Sequence, residues 1–294
     1  MSRIADLLAR GRTISFEFFP PKTPEAAEQL RATIGELKPL HPSFVSVTYG
    51  AMGSTRTLTR DLVVSLRATT DIPPMAHLTC VGHTCNDVDA LVNDYTTAGV
   101  DNILALGGDA PEDGTTLPSD FRYALDLVEH LRSRHDVCIG VAAHPESHPR
   151  SATLAADRRH LAEKLRLADF AVTQFFFDAA HWRRLVDDMA ALGVDKPIIP
   201  GIMPVTNVGQ LERMAKMSGA EIPAWLVEQL QAAPTPADVR RVGVEVATEL
   251  AAQLLADGAP GLHLYTLNRS TATREICAAL NFGGEPGIAS PAPR

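Results

Sequence analysis

At 294 residues, 45% of them hydrophobic and 21% charged, the chain is long enough for two ordinary domains or for one large α/β barrel, which takes about 250 residues. A net charge of -8 with no long basic run argues against a nucleic-acid partner, which needs a clustered Lys/Arg face, yet leaves room for an anionic small ligand in a locally positive pocket. No apolar run approaches the ~20 residues of a membrane span, so no membrane association is expected.

The opening MSRIADLLARGR reads as a short amphipathic helix without the apolar core of a signal peptide. Cys80, Cys85, Cys138 and Cys277 contain one close pair and no second pair that would complete a zinc pattern, so reduced thiols and a cytoplasmic location are expected. Apolar, β-rich runs then recur at 13–19, 44–50, 74–80, 102–108, 137–144, 171–177, 197–203 and 261–267. Helix-patterned stretches separate them. The first runs from Pro24 to Leu37 with Thr23 as its cap, and the last and longest, about Val208 to Asp257, has room for two or three helices. Strand and helix alternating in this way predict one closed (β/α)8 barrel over residues 1–282, followed by a flexible Gly/Pro-rich tail at 283–294. An open doubly wound sheet is the alternative; no GxGxxG follows the first strand, where a dinucleotide fold would carry it.

Chemistry in such barrels collects at the C-terminal strand ends. The polar residues there are Glu17, Thr48 and Tyr49, His77 and Thr79, Gly108 and Asp109, His144, Glu146 and His148, Gln174, and Tyr265, Thr266, Asn268 and Arg269. Glu17 stands out because aromatic residues flank it in SFEFF. A carboxylate in that setting needs a partner or an upward-shifted pKa, and a raised carboxyl suits a general acid. The competing reading is an ion pair that closes the barrel. His77, His144 and His148 form a weak metal set, and no metal is expected.

The segments SFEFFPPKT (15–23), FVSVTYGAMGSTRT (44–57), AHLTC (76–80), LALGGDAP (104–111), VAAHPESHP (141–149), TQFFFD (173–178), IIPGIMPVTN (198–207) and LHLYTLNRS (262–270) together resemble the methylenetetrahydrofolate reductase family. The resemblance implies reduction of 5,10-methylenetetrahydrofolate to 5-methyltetrahydrofolate, with hydride from NADH or NADPH usually relayed through FAD. It places the general acid on Glu17 and a carboxylate that steadies the developing cation on Asp109. Substrate contacts fall on Gln174, and substrate or nicotinamide contacts on Gln210 and Arg269. Thr48, Tyr49, His77, Gly108, His144, His148, Asp157, His160 and Lys164 fall on the flavin side.

The chain departs from the family pattern at Gly107, where many members carry arginine, at His144, where Tyr or Phe is usual, at His160 and at Glu163. Loss of a cation at 107 and a carboxylate at 163 would weaken an anion site. Two hydride routes follow: direct transfer from the nicotinamide with FAD weakly bound or absent, or FAD retained through backbone contacts. A folate-binding relative without turnover is the alternative function. An aldolase or lyase would need a strand-end Schiff-base lysine or metal set, for which there is no good candidate.

Overall fold

A computed structural model describes residues 2–49, 56–108 and 119–282. The flexible-tail expectation falls on residues outside that set. Helix α1 (Ile4–Arg10) precedes strand β1 (Thr13–Phe18), α2 (Pro24–Leu37), β2 (Phe44–Val47), α3 (Arg56–Thr69), β3 (Pro74–Thr79) and α4 (Cys85–Thr97). Then come β4 (Asn102–Leu106), α5 (Ala124–Arg134), β5 (Cys138–Ala143), α6 (Leu154–Leu167), β6 (Phe170–Phe175), α7 (Ala179–Ala191) and β7 (Ile198–Ile202). Three helices, α8 (Val208–Ser218), α9 (Ala224–Ala232) and α10 (Pro236–Ala256), lead to β8 (Gly261–Tyr265) and α11 (Thr271–Ala279).

The strands pair in parallel, each with its sequence neighbours, and β8 closes on β1 with Thr13 opposite Gly261 and Glu17 opposite Tyr265. The expected barrel is therefore the observed one. The helices begin where capping chemistry allows it. Thr23 Oγ1 accepts from Ala26 N at 3.2 Å with Pro24 in the first turn, and Thr84 and Asp87 form a reciprocal capping box. None of the described helices is long and apolar enough to cross a membrane.

Strand residues alternate between two destinations. One set, including Phe16, Phe18, Val45, Val47, Leu78, Ile103 and Leu264, packs outward against the helices in the main core. The other faces the barrel axis. Its lower part, Phe44, Met75, Leu104, Cys138, Phe170 and Ile199, forms a dry plug with Ile4 of α1. Asn102 Oδ1 accepts from Ile4 N at 2.9 Å and Arg3 reaches Asp136 at 2.7 Å, so α1 seals this end. Chemistry is left to the opposite end, where the strands' C-termini carry polar groups.

Candidate active site

The alternation that builds the core also sets the environment of Glu17. Phe16 and Phe18 point away from it into the helix layer, while Glu17 faces the barrel axis with 7% exposure. Register places Ser46 beside it on β2 and Tyr265 on β8. Its Oε2 accepts from Ser46 Oγ at 3.3 Å and from His263 Nε2 at 3.4 Å. His263 is fully buried, stacks over Phe44, and has Nδ1 2.8 Å from the Ser15 hydroxyl. The Ser15 hydroxyl also donates to Leu262 O at 3.2 Å, and because a carboxylate can only accept, the Nε2 that faces Glu17 carries a proton. His77 Nε2 also lies 3.4 Å from Oε2, but outside hydrogen-bonding geometry, and is buried without a hydrogen-bond partner.

Burial is the largest single influence on Glu17 and pushes its carboxyl up. The hydrogen bond from His263, the charges of His77 and His263, and the Ser46 hydroxyl together outweigh it, so the carboxyl lies below the ordinary glutamate range. This corrects the upward shift expected from SFEFF: the flanking aromatics occupy the other face of the strand, and polar partners converge on this one. Burial pushes His77 itself down to about 4. At neutral pH that ring is uncharged, and the lowering of Glu17 then rests on His263 and Ser46.

Tyr265 crosses the barrel to donate from its hydroxyl to Thr173 O at 2.7 Å. Burial, with Glu17 nearby, holds its phenol well above the ordinary range, so it stays protonated. Gly201 makes the crossing possible. A Cβ there would stand 2.2 Å from Thr173 O and 2.7 Å from Tyr265 Cε2.

The β5–α6 loop carries the second polar group. Its anchor is Arg158, only 3% exposed, which donates to His144 O at 2.9 Å and Pro145 O at 2.6 Å and pairs with Asp157 and Asp188. Asp157 also accepts from Ser151 Oγ at 3.1 Å. Lys164 Nζ donates to Ala142 O at 3.0 Å, and burial pushes its amine down to about 8. His144 packs edge-on against His148, with ring centroids 4.5 Å apart. Burial, followed by His148, Lys164, Arg150 and Arg158, pushes His144 down to about 3.

Other expected residues fall as follows. Gln174 shares a narrow cleft with His144 and Glu146, and its Oε1 accepts from Phe175 N at 2.9 Å. Gln210 lies in the first turn of α8, behind the Asn207 cap. Arg269 is exposed just after β8. Thr48 is partly buried and its N–H donates to Phe18 O at 2.9 Å. The Tyr49 hydroxyl is 3.0 Å from His83 Nε2 and its ring is 8% exposed, so it has little left to offer a ligand. Gly108 takes φ +78°, and a Cβ there would lie 3.0 Å from Thr79 Cβ. His160 and Glu163 are exposed on α6. Asp109 lies outside the described residues.

Sequence reasoning passed over His263, Ser15, Ser46 and Arg158. The first three carried a usable signal, since stepping back two residues from Tyr265 and Glu17 leads to His263 and Ser15 on the same inward face. Arg158 carried none, because one arginine in a charged helix does not announce its burial. Among the described residues, the His/Cys/Asp/Glu group with ligand atoms within 4.8 Å of one another is Asp89, His130 and His135, outside the barrel on α4 and α5, and not the strand-end histidines.

The family model described as methylenetetrahydrofolate reductase matches residues 2–281. The 5,10-methylenetetrahydrofolate reductase of Escherichia coli strain K12 is 38% identical over 277 residues, covering 94% of this chain and 92% of that one. Methylenetetrahydrofolate reductase (NADH) 1 of Zea mays is 34% identical over 310 residues, which span all of this chain and 52% of the maize protein. Among solved structures, an uncharacterized Clostridium thermocellum protein that binds two copies of 5-methyl-5,6,7,8-tetrahydrofolic acid superposes with a TM-score of 0.68 at 18% identity, over 95% of this chain and 97% of that one, a likeness of fold.

Proposed function

The chain belongs to the methylenetetrahydrofolate reductase family, and from that premise we propose that it reduces 5,10-methylenetetrahydrofolate to 5-methyltetrahydrofolate with hydride from a reduced nicotinamide. The observation that carries the reading is Glu17 at the barrel mouth, backed by His263 and Ser46 and with no Lys or Arg paired to it among the described residues. The substrate's five-membered ring opens when one nitrogen is protonated and leaves, which creates an iminium cation at the methylene carbon. Hydride then adds to that carbon. Glu17 is the proton donor at the leaving nitrogen.

A carboxyl held low in the free protein needs two aids to act as an acid. A bound folate covers what solvent access remains, which strengthens the upward push of burial. The other is a proton taken up from solvent at the mouth before folate binds; His263, with Nε2 3.4 Å from Oε2 and Nδ1 on Ser15, holds the carboxyl in place and gives up no proton. Once the proton has gone, the Glu17 anion steadies the iminium electrostatically, in a pocket that excludes most water. Asp109 is proposed to add to that stabilisation. The Gln174 amide offers a donor and an acceptor to the pterin edge, and Gln210 and Arg269 are proposed to hold the outer parts of substrate or nicotinamide.

The mouth also fits a flavin dinucleotide. His77 Nε2 is buried with no hydrogen-bond partner, and Gly107 leaves the backbone just after β4 bare of a side chain. Thr48, His77, Gly108, His144 and Lys164 would line it, with Asp157, His148 and His160 on its outer side. The chemistry it would supply there is a hydride relay between nicotinamide and folate. Of the two hydride routes set out above, direct transfer drew its support from the missing cation at Gly107. Arg150, developed below, restores a cation beside Gly107 and so removes that argument against a flavin. Purified protein with methylenetetrahydrofolate and NADH or NADPH, with and without added FAD, tests the function. Nicotinamide oxidation coupled to 5-methyltetrahydrofolate supports it, and none in any combination contradicts it.

A further inference from the structure

Gly107 ends β4 without a side chain, and the space its Cβ would enter is nearly open. Among the described residues, the one atom within 4 Å of that point is Arg150 Nη2, at 3.6 Å. Arg150 arrives from the β5–α6 loop, 43 positions later in the chain (150 minus 107). Its backbone N–H donates to His148 Nδ1 at 3.1 Å, which ties the loop that presents it, and its guanidinium donates to Gly108 O at 3.4 Å. Among the described residues no carboxylate pairs with it. The neighbouring Arg158, by contrast, is consumed by Asp157 and Asp188.

We propose that Arg150 is the cation of a diphosphate site laid over the bare backbone at Gly107, and that it grips the diphosphate of a bound dinucleotide. Three features set the ligand class. A guanidinium fork matches paired phosphate oxygens better than a point charge does. Gly107 lets a bulky anion approach the backbone closely beside that guanidinium, while the space beside Gly108 is filled by Thr79 and Val81. Lys164, whose charge also acts on His144, adds a second positive charge; its hydrogen bond goes to the Ala142 carbonyl, with the Asp157 carboxylate nearby. This corner is positive in a chain whose net charge is -8. The depressed His144 agrees, since Arg150 and Lys164 are both among the charges that disfavour its protonation. The cation missing at Gly107 is thus supplied from a different loop.

This inference rests on the reductase reading for its dinucleotide. The diphosphate chemistry is common to FAD and to the nicotinamide, and the test separates the two. Arg150→Ala is titrated with FAD and with riboflavin, which has no phosphate, by flavin fluorescence, and the KM for NADH is measured alongside. Arg150 is exposed, so the variant is expected to keep the wild-type melting point. The expected result is about a tenfold loss of FAD affinity with riboflavin unchanged, the size of one charge-assisted hydrogen bond. The wild type's affinity for FAD falls with salt, the variant's falls less steeply, and Gly107→Arg in the Arg150→Ala background restores binding. A tenfold rise in the KM for NADH, with both flavin titrations unmoved, keeps the site and assigns the diphosphate to the nicotinamide. No change in FAD affinity, in its salt dependence or in the KM for NADH overturns the proposal. Wild-type turnover with methylenetetrahydrofolate is measured separately, so failure of the reductase reading leaves the flavin titrations interpretable.

Discussion

His263→Phe isolates the partner that holds Glu17 low. Phenylalanine is close to histidine in size and keeps the stack on Phe44 and the edge contact with Tyr265. What disappears is polar: the firm 2.8 Å bond with Ser15 and the longer 3.4 Å bond to the carboxylate. The first accounts for about 1 kcal/mol and the charged one for about 2 kcal/mol. These losses have different pH dependence. In the wild type the Glu17 carboxyl lies below its unfolded value of about 4.3, so it adds stability above that pH and loses the contribution as pH falls through the folded value. Without His263, burial dominates and lifts the folded value above the unfolded one, and the buried carboxylate then costs stability as pH rises through it. The destabilisation is therefore about 1 kcal/mol near pH 4, where the carboxyl is largely neutral in the variant, and about 3 kcal/mol at pH 8. Urea unfolding followed by circular dichroism at both pH values measures it. An equal loss at pH 4 and pH 8 would refute the claim that His263 acts on the carboxylate.

Gly201→Ala pushes a methyl into Thr173 O and Tyr265, neither of which has room to yield, so about 1–3 kcal/mol of stability is expected to go, together with folate affinity. A thermal melt and a folate titration matching the wild type would contradict that packing. Arg158→Met leaves Asp157 buried without its cation and frees the carbonyls of His144 and Pro145; a loss of about 3–5 kcal/mol is expected in denaturant unfolding, with faster proteolytic cleavage in the β5–α6 loop. Lys164 has its amine pushed down to about 8, below the unfolded value of about 10.4, so the unfolded chain binds more protons between these values and stability contributed by this group rises with pH across that window. Lys164→Met should flatten the rise, and an unchanged pH profile between 8 and 10 would count against the burial of that amine.

The barrel was legible because hydrophobic runs and helix caps report local geometry. Thr23–Pro24 marks a helix start and the run 261–267 marks β8 without help from tertiary structure. The runs overshoot the strands at their C-terminal ends, 44–50 against Phe44–Val47, since Thr48 and Tyr49, which follow the strand, are β-prone residue types themselves. Glu17 was legible as an oddity, but the sign of its shift was not. That sign depends on His263, 246 positions away, and on Ser46 across the β1–β2 register. Gly107 was legible as a missing cation, and its replacement was not, because only the folded loop brings Arg150 over it.

The central claim is that Glu17 protonates the folate nitrogen that leaves, and Glu17→Gln tests it most directly. The amide can still accept from Ser46 and keeps the side chain's shape, but it cannot deliver the proton. Turnover with methylenetetrahydrofolate and NADH is predicted to fall by about 100- to 10,000-fold, the usual range for losing a general acid, while folate binding measured by equilibrium titration stays within about threefold of wild type, roughly 0.6 kcal/mol. Turnover within a few-fold of wild type, with folate bound normally, would contradict the account.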